Sequence, residues 1–142
     1  KKKKIKYKKY LGSDISDIMI KLCKKKYSSS KKINFYNIKN KIIKENLPKC
    51  DYVVASGIFN IKNNIQKKDW EKYFHDTIKY MFKKSKKGIS FNILTFDSTF
   101  RNPKNFYPNI ERLVKFLRQK ISKKILINHT YGLWEYTIFI YK

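Results

Sequence analysis

Apolar and polar residues follow two different periods along this chain. Short apolar runs predict strands at 7–14, 32–36, 51–56, 89–96, 124–128 and 134–141. Apolar residues spaced three or four apart predict helices at 16–27, 69–84 and 111–121, with a weak helix or loop reaching residue 46. Strands and helices alternate, which is typical of an open, largely parallel sheet with helices on both faces.

The clearest predicted helix, 69–84, has acids in its first turn and lysines in its last. A wide apolar stripe along it contains Trp70, Tyr73, Phe74, Thr77, Ile78, Met81 and Phe82. We interpret this stripe as a core face, with a structural role for His75 inside it or at its margin. Helix 16–27 places Ile18, Met19, Leu22 and Cys23 at helical spacing after a possible Ser16 cap.

The chain closes with two strands separated only by His129-Thr130-Tyr131-Gly132. Four residues are too few for a crossover, so these strands must form an antiparallel hairpin. The predicted fold class is therefore α/β: a Rossmann-like open, mostly parallel sheet with helices on both faces and a terminal antiparallel hairpin.

The chain has 142 residues, which is the length of one domain, and a net charge of +25. Only three of the 35 basic residues are Arg, the better bidentate reader of phosphate and guanine. Excess Lys, Ile, Asn and Tyr indicate an A/T-rich genome more than a selected polyanion site. No window is apolar enough for a membrane span. Cys23 and Cys50 lie far apart without metal-ligand spacing, which indicates reduced thiols in a cytoplasmic protein and no metal site.

Ligands of an open parallel sheet bind beyond the C-terminal ends of its strands. Asp14 ends the first predicted strand, where a carboxylate can accept hydrogen bonds from two ribose hydroxyls. Capping of the following helix is the alternative role for Asp14, and the two roles are compatible.

The segment Leu11-Gly12-Ser13-Asp14-Ile15-Ser16 resembles the second-strand motif of the class I S-adenosylmethionine (SAM)-dependent methyltransferases, whose acid binds the cofactor ribose. Cys50-Asp51-Tyr52-Val53-Val54-Ala55-Ser56-Gly57 resembles the fourth strand of the same family. A reversed last strand inserted beside the penultimate one is a further family feature. Residues 106–137 are similar to bacterial methyltransferases linked to surface-polysaccharide or small-molecule modification.

The resemblance implies SAM as the cofactor, held by residues at the ends of three strands. The expected cofactor-binding residues are Asp14, Ile15, Asn37, Ile38, Ser56, Gly57 and Phe59. Expected substrate contacts are Asn60, Thr95, Asp97 and Arg101, and the candidates for catalysis in the hairpin turn are His129 and Tyr131. His129 can serve as a general base because histidine ordinarily titrates near neutrality.

The family's first strand and glycine-rich loop precede its ribose-binding acid by roughly 20 residues on the dinucleotide-fold analogy. Here only 13 residues precede Asp14, and none of the four glycines forms such a loop. We therefore expect residues 1–142 to be a single methyltransferase-like domain lacking its N-terminal strand-loop-helix unit.

Several functions remain open at this stage, and methyl transfer to a small-molecule or glycan acceptor is the favoured one. A nucleic-acid methyltransferase is suggested by the charge, but Ser56-Gly57-Ile58-Phe59 lacks the Asn/Asp-Pro-Pro-aromatic run of amino-methylating members. A nicotinamide-dependent oxidoreductase would also place an acid at Asp14, but the terminal hairpin argues against it. A non-catalytic remnant is the last alternative, and the oligomeric state stays open.

Overall fold

The computed structural model describes residues 6–38 and 47–142. The element order is β1 (Tyr10–Asp14), α1 (Asp17–Lys26), β2 (Ile33–Asn37), β3 (Cys50–Ala55), α2 (Lys67–Lys84), β4 (Ser85–Leu94), α3 (Ile110–Lys120), β5 (Ile125–Asn128) and β6 (Glu135–Tyr141). Each strand and each of the three clear helices predicted from periodicity is present. The weak helix or loop expected before residue 46 falls mainly outside the described residues.

The first compact unit, within residues 1–46, contains β1, α1 and β2. The two strands pair in parallel, with Gly12 opposite Phe35 and Asp14 opposite Asn37. A Cβ on Gly12 would lie 2.7 Å from the Phe35 ring, so a larger residue there would force this ring to shift. Helix α1 connects the strands and begins as predicted, because the Ser16 hydroxyl accepts a hydrogen bond from the Met19 amide.

The apolar face predicted for α1 is largely uncovered. Ile18 is 71% exposed and Leu22 55% exposed, whereas Ile20 is buried. The predicted helix is confirmed, and most of the apolar residues that gave its spacing are exposed. A two-stranded sheet offers too little surface to cover a helix face.

The second unit, residues 47–142, holds a four-stranded sheet in the order β3-β4-β6-β5. Strands β3 and β4 are parallel, and β6 runs antiparallel to both β4 and β5. The predicted terminal hairpin is therefore confirmed, and its reversed strand lies between β4 and β5. The described strands thus form two sheets, of two and four strands, within an α/β fold.

One aromatic core lies between this four-stranded sheet and the helices α2 and α3. Phe74 of α2 contacts Phe59, Phe91 and Phe106 edge-on, with ring centroids 4.8 to 5.8 Å apart. The core-face interpretation of the α2 stripe is confirmed for its fully buried members Phe74, Thr77, Ile78 and Met81. Strand β4 begins at Ser85, directly after α2 and earlier than predicted, since Ser85 is already extended and pairs with Cys50.

The opposite face of the four-stranded sheet has no helix of this unit packed on it. Val53 and Ala55 contact the core, while the alternate β3 residues Tyr52 and Val54 are 58% and 71% exposed. Leu126 of β5 is also exposed. The sheet is therefore packed on one side only within residues 47–142.

Candidate functional site

In the first unit, four of the predicted cofactor residues lie at the C-terminal ends of β1 and β2. Asp14 is exposed, and its Oδ1 accepts a hydrogen bond from the Ser16 amide at 2.8 Å. This bond forms a turn before the helix, whose N-cap is Ser16 and not Asp14, and it leaves Oδ2 for a second donor. Asn37 donates to the Asp17 carboxylate at 2.5 Å and to the Ile15 carbonyl. Ile15 is 64% exposed, whereas Ile38 is buried.

In the second unit, the turn after β3 is held by a side chain from the neighbouring strand. Gly57 has φ +74°, a conformation that favours glycine, and a Cβ there would meet open space. Its amide donates to Asn92 Oδ1 at 2.7 Å, and Asn92 Nδ2 donates to Glu135 Oε2 at 2.6 Å. Because a carboxylate only accepts, Glu135 fixes the orientation of the Asn92 amide and thus the acceptor offered to Gly57.

The loop continues from exposed Ser56 and Gly57 into the core. Phe59 has no exposed surface and packs on Phe74 and Phe91. The Phe59 ring therefore fixes the loop to the aromatic core. The backbone carbonyl of Asn60 accepts from the Phe106 amide, and its buried side-chain Oδ1 has no partner among the described residues.

The predicted substrate residues Thr95, Asp97 and Arg101 belong to the segment after β4, at the same sheet edge as Gly57. Thr95 is fully buried, and its hydroxyl has no partner among the described residues. Arg101 is exposed, stacks its guanidinium on the Phe96 ring at 3.9 Å and donates to the Phe96 carbonyl.

The hairpin turn lies at this edge too, because β5 runs parallel to β4. The Thr95 amide donates to the Trp134 carbonyl, and the Tyr136 hydroxyl donates to the Asp97 carboxylate at 3.3 Å. Burial, followed by the Asp97 charge, raises the pKa of Tyr136 above its usual value, so the phenol stays a proton donor. The exposed His129 ring contacts the Tyr136 ring edge-on at 4.6 Å.

Tyr131, the other catalytic candidate, shares a hydrogen bond of 2.5 Å with the Thr137 hydroxyl. This bond lies within the hairpin and holds its turn. Of the two candidates, His129 is the one on the exposed side of the turn and next to the Asp97–Tyr136 pair.

Sequence reasoning missed Asn92, Glu135 and Tyr136. A signal for Asn92 was present, since Ser90 and Asn92 interrupt an apolar run at every second residue and so mark a polar stripe on one face. The contact of Asn92 with Glu135 depends on the β4–β6 register, which no local pattern fixes.

Residues 6–38 and 47–142 contain no group of three or more His, Cys, Asp or Glu side chains arranged to hold a metal ion. No helix in these ranges is both long and apolar enough to cross a membrane.

Comparison with protein-family models finds no match. Among curated proteins, the chain is similar to Rv1506c of Mycobacterium tuberculosis, which bears the name "Putative methyltransferase". The two are 29% identical over 135 residues, which cover 94% of this chain and 78% of that protein.

Solved structures of methyltransferases share the fold. The magnesium protoporphyrin IX methyltransferase of Synechocystis, crystallised with SAM, superposes with a TM-score of 0.60 at 12% identity, over 93% of this chain and 58% of that one. Human N-acetylserotonin methyltransferase with SAM gives 0.65 at 15% identity, over 94% and 40%. The N-methyltransferase NodS of Bradyrhizobium japonicum gives 0.63 at 11%, over 95% and 74%. This chain thus spans less than two thirds of the first two structures.

The element order, the reversed β6 and these similarities identify the fold as that of the class I SAM-dependent methyltransferases. The chain is therefore similar in fold to SAM-dependent methyltransferases, two of them crystallised with SAM, and similar in sequence to a protein named as a methyltransferase.

Proposed function

We propose that this chain carries out SAM-dependent methyl transfer to a small-molecule or glycan acceptor. The observation that carries the proposal is an exposed carboxylate, Asp14, at the C-terminal end of a parallel strand. Open parallel sheets bind nucleotide ligands at such ends. The curated relative supports the same reaction class.

Two features of the described residues support an adenosyl ligand. Asp14 accepts from the Ser16 amide through Oδ1 and would offer Oδ2 to a ribose hydroxyl, while exposed Ile15 would offer an apolar surface beside it. The open space at Gly57 lets backbone approach a ligand closely, as Ser56 and Gly57 would do at the methionine end. Asn37 and Ile38 would contribute at the adenine end.

The cofactor supplies an electrophilic methyl group on its sulfonium. The protein's task is to align the acceptor and exclude water. Asn60, Thr95, Asp97 and Arg101 would contact the acceptor. Where the acceptor is a hydroxyl or a protonated amine, His129 would remove its proton, with Tyr131 holding the turn.

We also propose that residues 1–142 form one methyltransferase-like domain that needs an N-terminal strand, loop and helix to complete it. Within the described residues, β1 pairs only with β2, and β3 pairs only with β4. The side chains of Tyr52 and Val54 are exposed, and an additional element would cover them. A cytoplasmic location is proposed because Cys23 and Cys50 are free thiols.

Net charge favours a second candidate function, methylation of a nucleic acid. Binding of a nucleic acid would weaken steeply with salt, because neutralised phosphates release counterions. A binding constant for single-stranded RNA that falls by roughly 10³-fold from 50 to 200 mM salt would favour this candidate over a small acceptor.

Calorimetry with S-adenosylhomocysteine, the product form of the cofactor, tests the proposal on the full-length protein. We expect saturable binding of S-adenosylhomocysteine and none of NADH at the same concentration. The reverse preference would favour an oxidoreductase, and binding of neither would support the non-catalytic remnant.

A further inference from the structure

The loops after β3 and β4 are tied together above the edge of the four-stranded sheet. Ile61 and Asn105 form an antiparallel bridge, and the Lys104 carbonyl accepts from the amides of Lys62 and Asn63 at 2.8 and 2.9 Å. The Phe106 amide donates to the Asn60 carbonyl at 2.9 Å. These bonds give the two loops one defined arrangement.

A pocket of about 170 Å³ opens between these loops. Three of its lining residues are cationic, namely Lys62, Lys67 and Arg101, and none is acidic. The buried Phe106 and the partly exposed Phe96 supply an apolar wall. The volume suits a compact charged group joined to a planar or apolar body that extends beyond it.

Most cations of this chain are lysines, so positive charge alone would mean little. Arg101 differs, because it is one of only three arginines and its guanidinium is already held by the Phe96 ring and carbonyl. A fixed planar fork loses little conformational freedom when it binds a carboxylate or phosphate. Lys62 is half-buried and donates to the Asn63 and Ile65 carbonyls at 3.3 and 3.4 Å.

The other polar side chains that line the pocket are the neutral Asn105 and Tyr107, and one acid, Asp97, lies in the same loop. The Tyr107 hydroxyl accepts from the Asn102 amide and from Asn105 Nδ2, and so keeps its own proton for an incoming oxygen. The one acid in 95–109, Asp97, accepts a hydrogen bond from Tyr136 and does not line the pocket. No carboxylate among the lining residues therefore neutralises the three cations.

We propose that this pocket binds the anionic group of the methyl acceptor, so that the acceptor is a carboxylate- or phosphate-bearing small molecule with an apolar or aromatic body. Arg101 receives the oxyanion, Lys62 and Lys67 balance its charge, and Phe96 packs on the body. The identification of the bound anion as the methyl acceptor rests on the proposed methyl transfer. The binding of an anion in this pocket does not depend on it.

Titration of the full-length protein with small probes, followed by NMR without cofactor, tests the site. Phenyl phosphate and benzoate should cause saturable shifts in the amides of residues 97–108 and in the Arg101 side-chain N–H. The preferred probe separates phosphate from carboxylate acceptors. The neutral isostere benzyl alcohol should cause no saturable shift, since the oxyanion supplies the main contact.

Matched variants distinguish a specific anion-binding site from nonspecific attraction by the net positive charge of the chain. Arg101→Ala should weaken binding of the preferred anion about tenfold. Arg118→Ala removes the same charge from an exposed position of α3 and should change binding less than twofold. Lys67→Ala gives a second pocket variant without disturbing the loop that contains Arg101, and should weaken binding severalfold.

Equal weakening by Arg101→Ala and Arg118→Ala would overturn the proposal, as would shifts that never saturate. Because no cofactor is present, these outcomes are independent of S-adenosylhomocysteine calorimetry. A failure of the anion site therefore leaves the proposed methyl transfer standing, and a failure of cofactor binding leaves the anion site standing.

Discussion

The two units of the chain bury very different amounts of apolar side chain. In residues 47–142, thirteen hydrophobic residues form one buried cluster built around Phe59, Phe74 and Phe91. In residues 6–38, only Ile20 and Ile38 are buried among the hydrophobics, while Ile18 and Leu22 are largely exposed. Stability therefore resides in the second unit.

The contrast matters because the two units carry different candidate functions. The weakly packed unit contains Asp14, the expected ribose ligand, while the well-packed unit contains the loops expected to contact the acceptor. Elements with few buried contacts open with a low free-energy cost. The order of the Asp14 strand end should therefore respond more strongly to a bound ligand than the acceptor loops do.

The largest expected effect comes from truncating the centre of the second unit's core. Phe74→Ala removes a ring with 1% exposure that contacts three other phenylalanines, and should lower the free energy of unfolding by about 3–5 kcal/mol. Urea unfolding followed by circular dichroism measures the loss. The matched change in the first unit, Ile18→Ala, should cost less than about 0.5 kcal/mol because Ile18 is 71% exposed. Equal losses would contradict the comparison.

A smaller effect is expected from the polar contacts that hold the turn after β3 in the second unit. Asn92→Leu removes the partner of the Gly57 amide and of the Glu135 carboxylate, and should cost about 0.5–1.5 kcal/mol because water can reach the exposed Gly57 amide. Amide hydrogen exchange at Gly57 should accelerate at the same time. Ser90→Ala, two residues earlier on the same strand face, is the control and should leave Gly57 exchange unchanged. Unaltered exchange in Asn92→Leu would show that Asn92 does not hold this turn.

The smallest expected effect is a pH dependence of stability at the margin of the core. Half-buried His75 stacks on Phe116 at 3.8 Å, and burial lowers the pKa of its imidazole below the ordinary 6.5, although the Glu71 charge opposes the shift. The unfolded chain therefore binds a proton more readily, so stability falls as the pH drops below about 6.5. Thermal unfolding at pH 8 and pH 5.5 should show a smaller difference for His75→Phe than for the natural sequence. An equal difference would remove His75 from this role.

The sequence predicts the elements well because their periodicity is local. The α2 stripe and the short gap between β5 and β6 each allow one arrangement, and both are observed. The places of Asp14, Gly57 and Asp97 at or just after strand ends follow from the same local pattern, whereas their roles in a site stay predictions. The exposure of Ile18 and Leu22 could not, because spacing shows which face is apolar but not whether anything covers it.

Contacts between distant elements make up most of what sequence reasoning could not supply. The Gly57–Asn92–Glu135 chain crosses three strands, and the Asp97–Tyr136 bond joins residues 39 positions apart. The basic pocket needs the Ile61–Asn105 bridge, whose residues show no special pattern. Such contacts depend on register and loop pairing, so they become visible only in three dimensions.

The central claim is that Asp14 binds the ribose of an adenosyl cofactor, and calorimetry of S-adenosylhomocysteine on the full-length protein tests it most directly. Asp14→Ala should weaken binding by about 2–4 kcal/mol through the loss of charge-assisted hydrogen bonds. Asp76→Ala, which removes a carboxylate ion-paired on the α2 surface, should leave the affinity unchanged. Equal affinities for the natural protein and for Asp14→Ala would contradict the account.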